Sequence, residues 1–140
     1  MLVYRNRNAE EKRVKQIQPL TESQLQIQIF EWAQLMTGKY PELSLLYHIP
    51  NEGKRSVYYG AKLKREGLKS GVPDICLPIP KGNYCGLYIE LKVGKNKPTK
   101  NQEHWLFSLS KAGHRTAVCY TREQVQKEIL SYLALKDTSE

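Results

Sequence analysis

Two charged residues interrupt the most apolar stretch of the chain. In residues 84–93, YCGLYIELKV, Glu90 and Lys92 stand two apart. Side chains alternate across a strand, so these two share a face with Tyr88, about 6.6 Å apart, while Leu87, Ile89, Leu91 and Val93 share the other. Alone, the pair reads as an exposed ion pair of little worth. Asp74 changes that. It follows the turn Gly71-Val72-Pro73 and opens a strand, Asp74–Ile79, joined to Glu90's strand through a hairpin turn at Lys81-Gly82-Asn83. Antiparallel pairing of 74–79 with 84–90 sets Asp74 opposite the Glu90 region. Two carboxylates converging on one point, completed by the Leu91 backbone carbonyl and by waters, make a hard oxygen site suited to Mg2+ or Mn2+. The plainer alternative is an Asp that caps the turn after Pro73.

Glu22 and Gln102 open helices that lead towards the same place. Glu22 shares a helix face with Leu25, Gln26 and Ile29 and points from the helix end to the core side; it also suits the helix dipole. Gln102 lies on the face of Trp105, Leu106 and Leu109, and also completes a capping box with Thr99. His48, in the apolar run LSLLYHI, reads as a structural residue rather than a general base. Cys76, Cys85 and Cys119 are odd in number, lack a C-x-x-C spacing and read as reduced core thiols. Tyr58 and Tyr59 read as packing residues, with stacking on an unpaired base as the alternative.

The elements that must carry these residues follow from pattern. Capping boxes at Thr21–Gln24, Thr99–Gln102 and Thr121–Gln124 open three helices, and Ser56 caps another that runs to about Glu66 before Gly67. Strands are expected at 43–49, 74–79, 84–93 and 116–120. The order is helix, strand, helix, strand, strand, helix, strand, helix: an α/β chain with a mixed central sheet flanked by helices. Residues 1–18 are polar and basic and read as a flexible arm, 19–136 as one domain, and 137–140 as a tail.

Composition narrows the function. The chain has 140 residues and a formal charge of +8. Residues 51–115 hold thirteen Lys and Arg against five Asp and Glu, so the middle of the chain carries the whole excess. That points to a polyanion partner, or to a merely solvated surface. No run suits a membrane span or a signal peptide, so an intracellular, cytoplasmic protein without a membrane partner is expected. Asn51, Lys54, Arg55 and Ser56, with Lys62, Arg65, Lys69, Lys95, Lys97 and Lys100, can contact phosphates. Trp32, Met36, Trp105 and Leu130–Leu133 lie on helices that cover one small sheet, which leaves apolar surface for a homodimer interface.

Four ordered blocks carry a resemblance. Gly71-Val72-Pro73-Asp74 and Ile89-Glu90-Leu91-Lys92 resemble the PD-(D/E)xK nuclease signature. Together with Asn51–Ser56 and Thr99–Gln102 they resemble the VRR-NUC domain, the virus-type replication-repair nuclease, in its standalone phage-like form. The resemblance runs from about Thr21 to Tyr120. It implies a restriction-endonuclease-like core and a Mg2+- or Mn2+-dependent deoxyribonuclease, within a phage-infected bacterial host. Asp74 and Glu90 would hold the metal, Glu22 would support a metal-bound water, Lys92 would activate the attacking water, and Gln102 would position Lys92 or the phosphate. The expected substrate is branched DNA such as four-way junctions, cut by a dimer in DNA repair. A flap- or end-directed nuclease and a non-catalytic DNA-binding module are the alternatives.

Overall fold

The computed structural model describes residues 19–50 and 57–137. The basic arm 1–18, the segment Asn51–Ser56 with its candidate phosphate contacts, the Tyr58 side chain and residues 138–140 lie outside what it describes.

The described elements run α1 (Glu22–Met36), a 3-10 helix (Pro41–Leu45), β1 (Tyr47–His48), α2 (Val57–Arg65), β2 (Ile75–Leu77), β3 (Leu87–Leu91), α3 (Lys100–Lys111), β4 (Arg115–Cys119) and α4 (Arg122–Leu133). The strands form one sheet in the order β1-β2-β3-β4. β1, β2 and β3 pair antiparallel, and β4 runs parallel to β3 after the α3 crossover. A parallel neighbour needs such a crossover, so the sheet is mixed, as the element order requires.

The caps explain where the helices begin. The Thr21 hydroxyl accepts from the Gln24 N–H at 3.1 Å, and the Gln24 side chain accepts from the Thr21 N–H at 2.9 Å. Thr99 and Gln102 repeat this at α3 with 3.2 and 2.9 Å. Each pair satisfies N–H groups that a helix start leaves without partners. At α4 the Thr121 hydroxyl accepts from the Gln124 N–H, but Gln124 reaches one residue further back and accepts from the Tyr120 N–H at 2.7 Å. The third capping box is therefore half made, and Gln124 ties β4 to α4 instead.

One face of the sheet is sealed. Ile75, Leu77, Leu87, Ile89, Leu91 and Cys119 are buried against Leu25, Ile29 and Ala33 of α1 and Val125, Ile129 and Tyr132 of α4. Full burial of each such side chain is worth roughly 1.5–3 kcal/mol, which pins the strand register. The other face carries Tyr47, Cys76, Tyr88 and Thr116 in one row and leads to Glu90 and Val118. α3 packs on β4, yet none of its residues is buried and none joins that core.

Three expectations change. Residues 43–49 are not one strand: Pro41 starts a 3-10 turn, and Leu43 and Leu46 are buried three apart, which leaves only Tyr47–His48 for the sheet. Cys85 is exposed rather than core, because β3 begins at Leu87 and residue 85 still belongs to the hairpin. Trp32, Met36 and Leu133 pack against the core, whereas the apolar residues left most exposed on helices are Leu35, Phe107 and Ile27, at 84%, 63% and 55%. Among the described residues no helix is long and apolar enough to cross a membrane.

Candidate active site

The β2–β3 register decides where the carboxylates meet. Ile75 pairs with Ile89, so Asp74, one residue before β2, falls beside Glu90. Asp74 Oδ2 accepts the Leu91 N–H at 2.7 Å. Its backbone carbonyl accepts from the Ile49 N–H at 2.8 Å and lies 2.9 Å from His48 Nδ1, whose proton completes that contact. N–H and C=O of a strand residue point to the same side, so the Leu91 carbonyl lies on the Asp74 side of β3.

The approach to Asp74 depends on glycine. Gly71 has φ +82°, and a Cβ there would stand 2.8 Å from Asn101 Nδ2. Asn101 in turn donates to the Ser70 carbonyl and hydroxyl at 2.9 and 2.8 Å. The first turn of α3 thus braces the turn that delivers Asp74.

Glu90 is 1% exposed, and its Oε2 is buried without a hydrogen-bond partner. Its Oε1 lies 3.3 Å from Lys92 Nζ, which is also 3.6 Å from Glu22 Oε1. Lys92 is itself buried, while the Glu22 side chain is 41% exposed. α1 therefore brings Glu22 to the ammonium across the sheet end. Burial, then the Asp74 charge, pushes the Glu90 carboxyl up to about 8; Lys92 opposes this, and Glu22 adds to it.

The structure thus gathers Asp74, Glu90, Leu91, Lys92 and Glu22. Gln102 is not part of that ion-pair group: its Oε1 accepts the Thr99 N–H in the cap. Lys62, Arg65, Lys69, Lys95, Lys97 and Lys100 are exposed, and Lys62 pairs with Glu66 at 3.9 Å. Tyr59 is 51% exposed rather than packed inside. His48 and Asn101 support Asp74 in ways that no spacing in the sequence signals, because each contact depends on tertiary pairing.

A divalent cation suits this donor set. All its donors are oxygens, Glu22 and Glu90 share one ammonium with Asp74 beside Glu90, and Glu90 Oε2 is buried without a partner. Among the described residues no group of three or more His, Cys, Asp or Glu side chains is arranged to hold a metal. Mg2+ commonly takes one or two carboxylates and keeps several waters, so two side chains are a sufficient protein share.

Comparison with known proteins identifies the family. The sequence pattern of the VRR-NUC domain matches residues 6–123. A solved structure of a VRR-NUC domain protein superposes with a TM-score of 0.74 at 31% identity, covering 86% of this chain and 94% of that one. No curated protein matches the chain.

Proposed function

Since the chain belongs to the VRR-NUC domain family, and its fold is that of a PD-(D/E)xK nuclease, we propose that it is a Mg2+- or Mn2+-dependent, structure-selective DNA endonuclease acting on branched DNA such as four-way junctions. The observation that carries the site assignment is the buried, unpartnered Oε2 of Glu90 beside Asp74. A buried carboxylate oxygen with no partner is costly, and such groups persist where a ligand or a reaction uses them.

In this reading Asp74, Glu90 and the Leu91 carbonyl hold the ion, with Glu22 reaching it through water. When bound, the ion supplies charge neutralisation and a water of lowered pKa. The remaining work belongs to the chain. Asp74 accepts the Leu91 N–H, which favours its present orientation. Lys92, held between Glu90 and Glu22, presents an ammonium that orients the attacking water and offsets charge growing on the phosphate oxygens. Gln102 stands in the first turn of α3, where its amide nitrogen is the group left to meet a phosphate. Lys62, Arg65, Lys69, Lys95, Lys97 and Lys100 grip the backbone without reading sequence.

Residues 19–136 form the nuclease domain, with 1–18 as a basic arm and 137–140 as a tail; the family match starts within the arm. Symmetric cutting of a four-way junction calls for two copies about a two-fold axis. The test is incubation of the purified chain with labelled linear, flap, splayed and four-way DNA in Mg2+, Mn2+ or EDTA. Paired symmetric cuts on the junction, abolished by EDTA, are expected. Preferential cutting of a flap would make it a flap nuclease, and binding without cleavage in either metal would make it a DNA-binding module.

A further inference from the structure

The sheet face that carries Glu90 also carries a row of aromatic rings one step away. Tyr47 pairs with Cys76, and Cys76 with Tyr88, so the two tyrosines flank Cys76 directly across three strands. All three side chains stand on one face of the sheet, with Cys76 buried between the two tyrosines. Tyr88 precedes Glu90 by two residues on the same face, a separation of about 6.8 Å at the rise of an antiparallel strand. Tyr47 is 47% exposed, and Tyr88 is half-buried. His114 meets the Tyr88 ring edge-on, with centroids 5.1 Å apart, and fixes its tilt. A Cβ at Gly86 would stand 3.3 Å from the Leu77 carbonyl oxygen, a tight approach, and only in ordinary contact with His114 Nδ1 at 3.5 Å.

A packing role alone accounts poorly for this row. The opposite face is sealed by α1 and α4, whereas α3 packs on β4 and buries none of its own residues. Tyr47 is therefore reachable from solvent on the face that carries Glu90, with Tyr88 half-buried between them. The chain segment that holds Tyr88 carries a large positive excess, with Lys69, Lys95, Lys97 and Lys100 exposed to meet a polyanion.

We propose that Tyr47 and Tyr88, buttressed by His114, form a stacking platform that receives one unpaired DNA base beside the phosphate held at Asp74 and Glu90. This deepens the nuclease reading and rests on it. A base inside a duplex has both faces covered by its neighbours and cannot lie on a protein ring without leaving the stack. A base at a branch, bulge or splayed end has already left it. The platform thus favours DNA with an unpaired nucleotide through shape and π-surface, with no hydrogen-bond readout of sequence.

The test is binding of the full-length chain, in EDTA so that the DNA stays intact, to a duplex with one bulged 2-aminopurine. A fully paired duplex of the same length is the comparison. The wild type should quench the fluorophore and bind the bulged DNA more tightly than the paired one. Tyr47→Leu and Tyr88→Leu should lose the quenching and about five- to a hundredfold of the affinity for bulged DNA, with little change for paired DNA. Tyr47→Phe and Tyr88→Phe keep the ring and should behave like the wild type. Tyr47 is half exposed, so Tyr47→Leu should fold, and it decides the matter even if Tyr88→Leu does not. Unchanged quenching and affinity in Tyr47→Leu would overturn the platform, as would Phe variants that fail like the Leu variants. The two readings separate cleanly: normal cleavage with an indifferent Tyr47→Leu removes the platform alone, and Tyr-dependent quenching without any metal-dependent cleavage removes the nuclease reading alone.

Discussion

At the scale of single residues, the proposed site is an arrangement of charge that the protein alone leaves unbalanced. Two carboxylates, Glu22 and Glu90, share the Lys92 ammonium with Asp74 beside Glu90, and the most buried of them, Glu90, is held towards its neutral form. Asp74→Ala or Glu90→Ala should abolish cutting while DNA binding stays intact, and Asp74→Ala should tighten it because a negative charge beside the phosphate is removed; gel assays of both on the same branched DNA check this. Lys92→Ala should lower kcat by about 10²–10³-fold, the usual loss for a group that stabilises transition-state charge, while Mn2+ titration still shows the ion bound. The pH dependence has a definite sign. Glu90 ionises at about 8 in the folded chain against an ordinary 4.5. Its protonated form therefore contributes stability that is fully present below the ordinary value and lost as the pH rises through about 8. In EDTA, Glu90→Gln should gain in Tm relative to the wild type as the pH is raised from about 5 to about 9. Added Mn2+ should narrow that gap at the alkaline end by stabilising the wild type. A Tm difference that does not change with pH would show that Glu90 titrates normally.

At the scale of elements, the turn before β2 is the sensitive part. Gly71→Ala places a side chain at φ +82° and against Asn101. The left-handed conformation alone costs roughly 1–2 kcal/mol for a residue with a Cβ, before the clash is counted. The variant should lose several degrees in Tm, and Mn2+ affinity should fall further than the stability loss explains, because Asp74 is displaced. Asn101→Ala together with Gly71→Ala should recover part of the Tm, since the clash partner is gone. Much of this architecture was legible in the sequence. Threonine and glutamine three apart marked the first turns of α1 and α3, and alternation in LYIEL placed Glu90 and Lys92 on one face. Where reading stopped short, the cause was tertiary. LSLLYHI fits a strand by composition, but Pro41 and the spacing of Leu43 and Leu46 turn it into a 3-10 helix that the core pins in place. The Asp74–Glu90 proximity followed from one short hairpin. The Glu22–Lys92 contact, the His48 ring on the Asp74 carbonyl and the Tyr47–Cys76–Tyr88 row each needed a partner distant in sequence.

At the scale of the whole molecule, charge and assembly make the remaining predictions. Most of the described lysines and arginines in the middle of the chain are exposed, and among the described residues no recognition helix or zinc finger is evident. DNA affinity should therefore fall linearly with salt on a log–log plot, and Lys97→Ala should reduce the slope by about one without changing sequence preference. A flat plot would place the binding surface elsewhere. Light scattering at micromolar concentration should give twice the 16.2 kDa chain mass if two copies cut a junction together; a monomer with and without DNA would remove the dimer. The long reach from Glu22 to Lys92 has a consequence in time. Asp74 and Glu90 are joined by a hairpin and can meet as soon as that hairpin closes, whereas Glu22 must wait for α1 to dock and α4 to seal the sheet behind β3. Contacts between residues close in sequence form fast, and distant ones late. A chain in which α1 is undocked holds Asp74, Glu90 and Lys92 without the Glu22 contact.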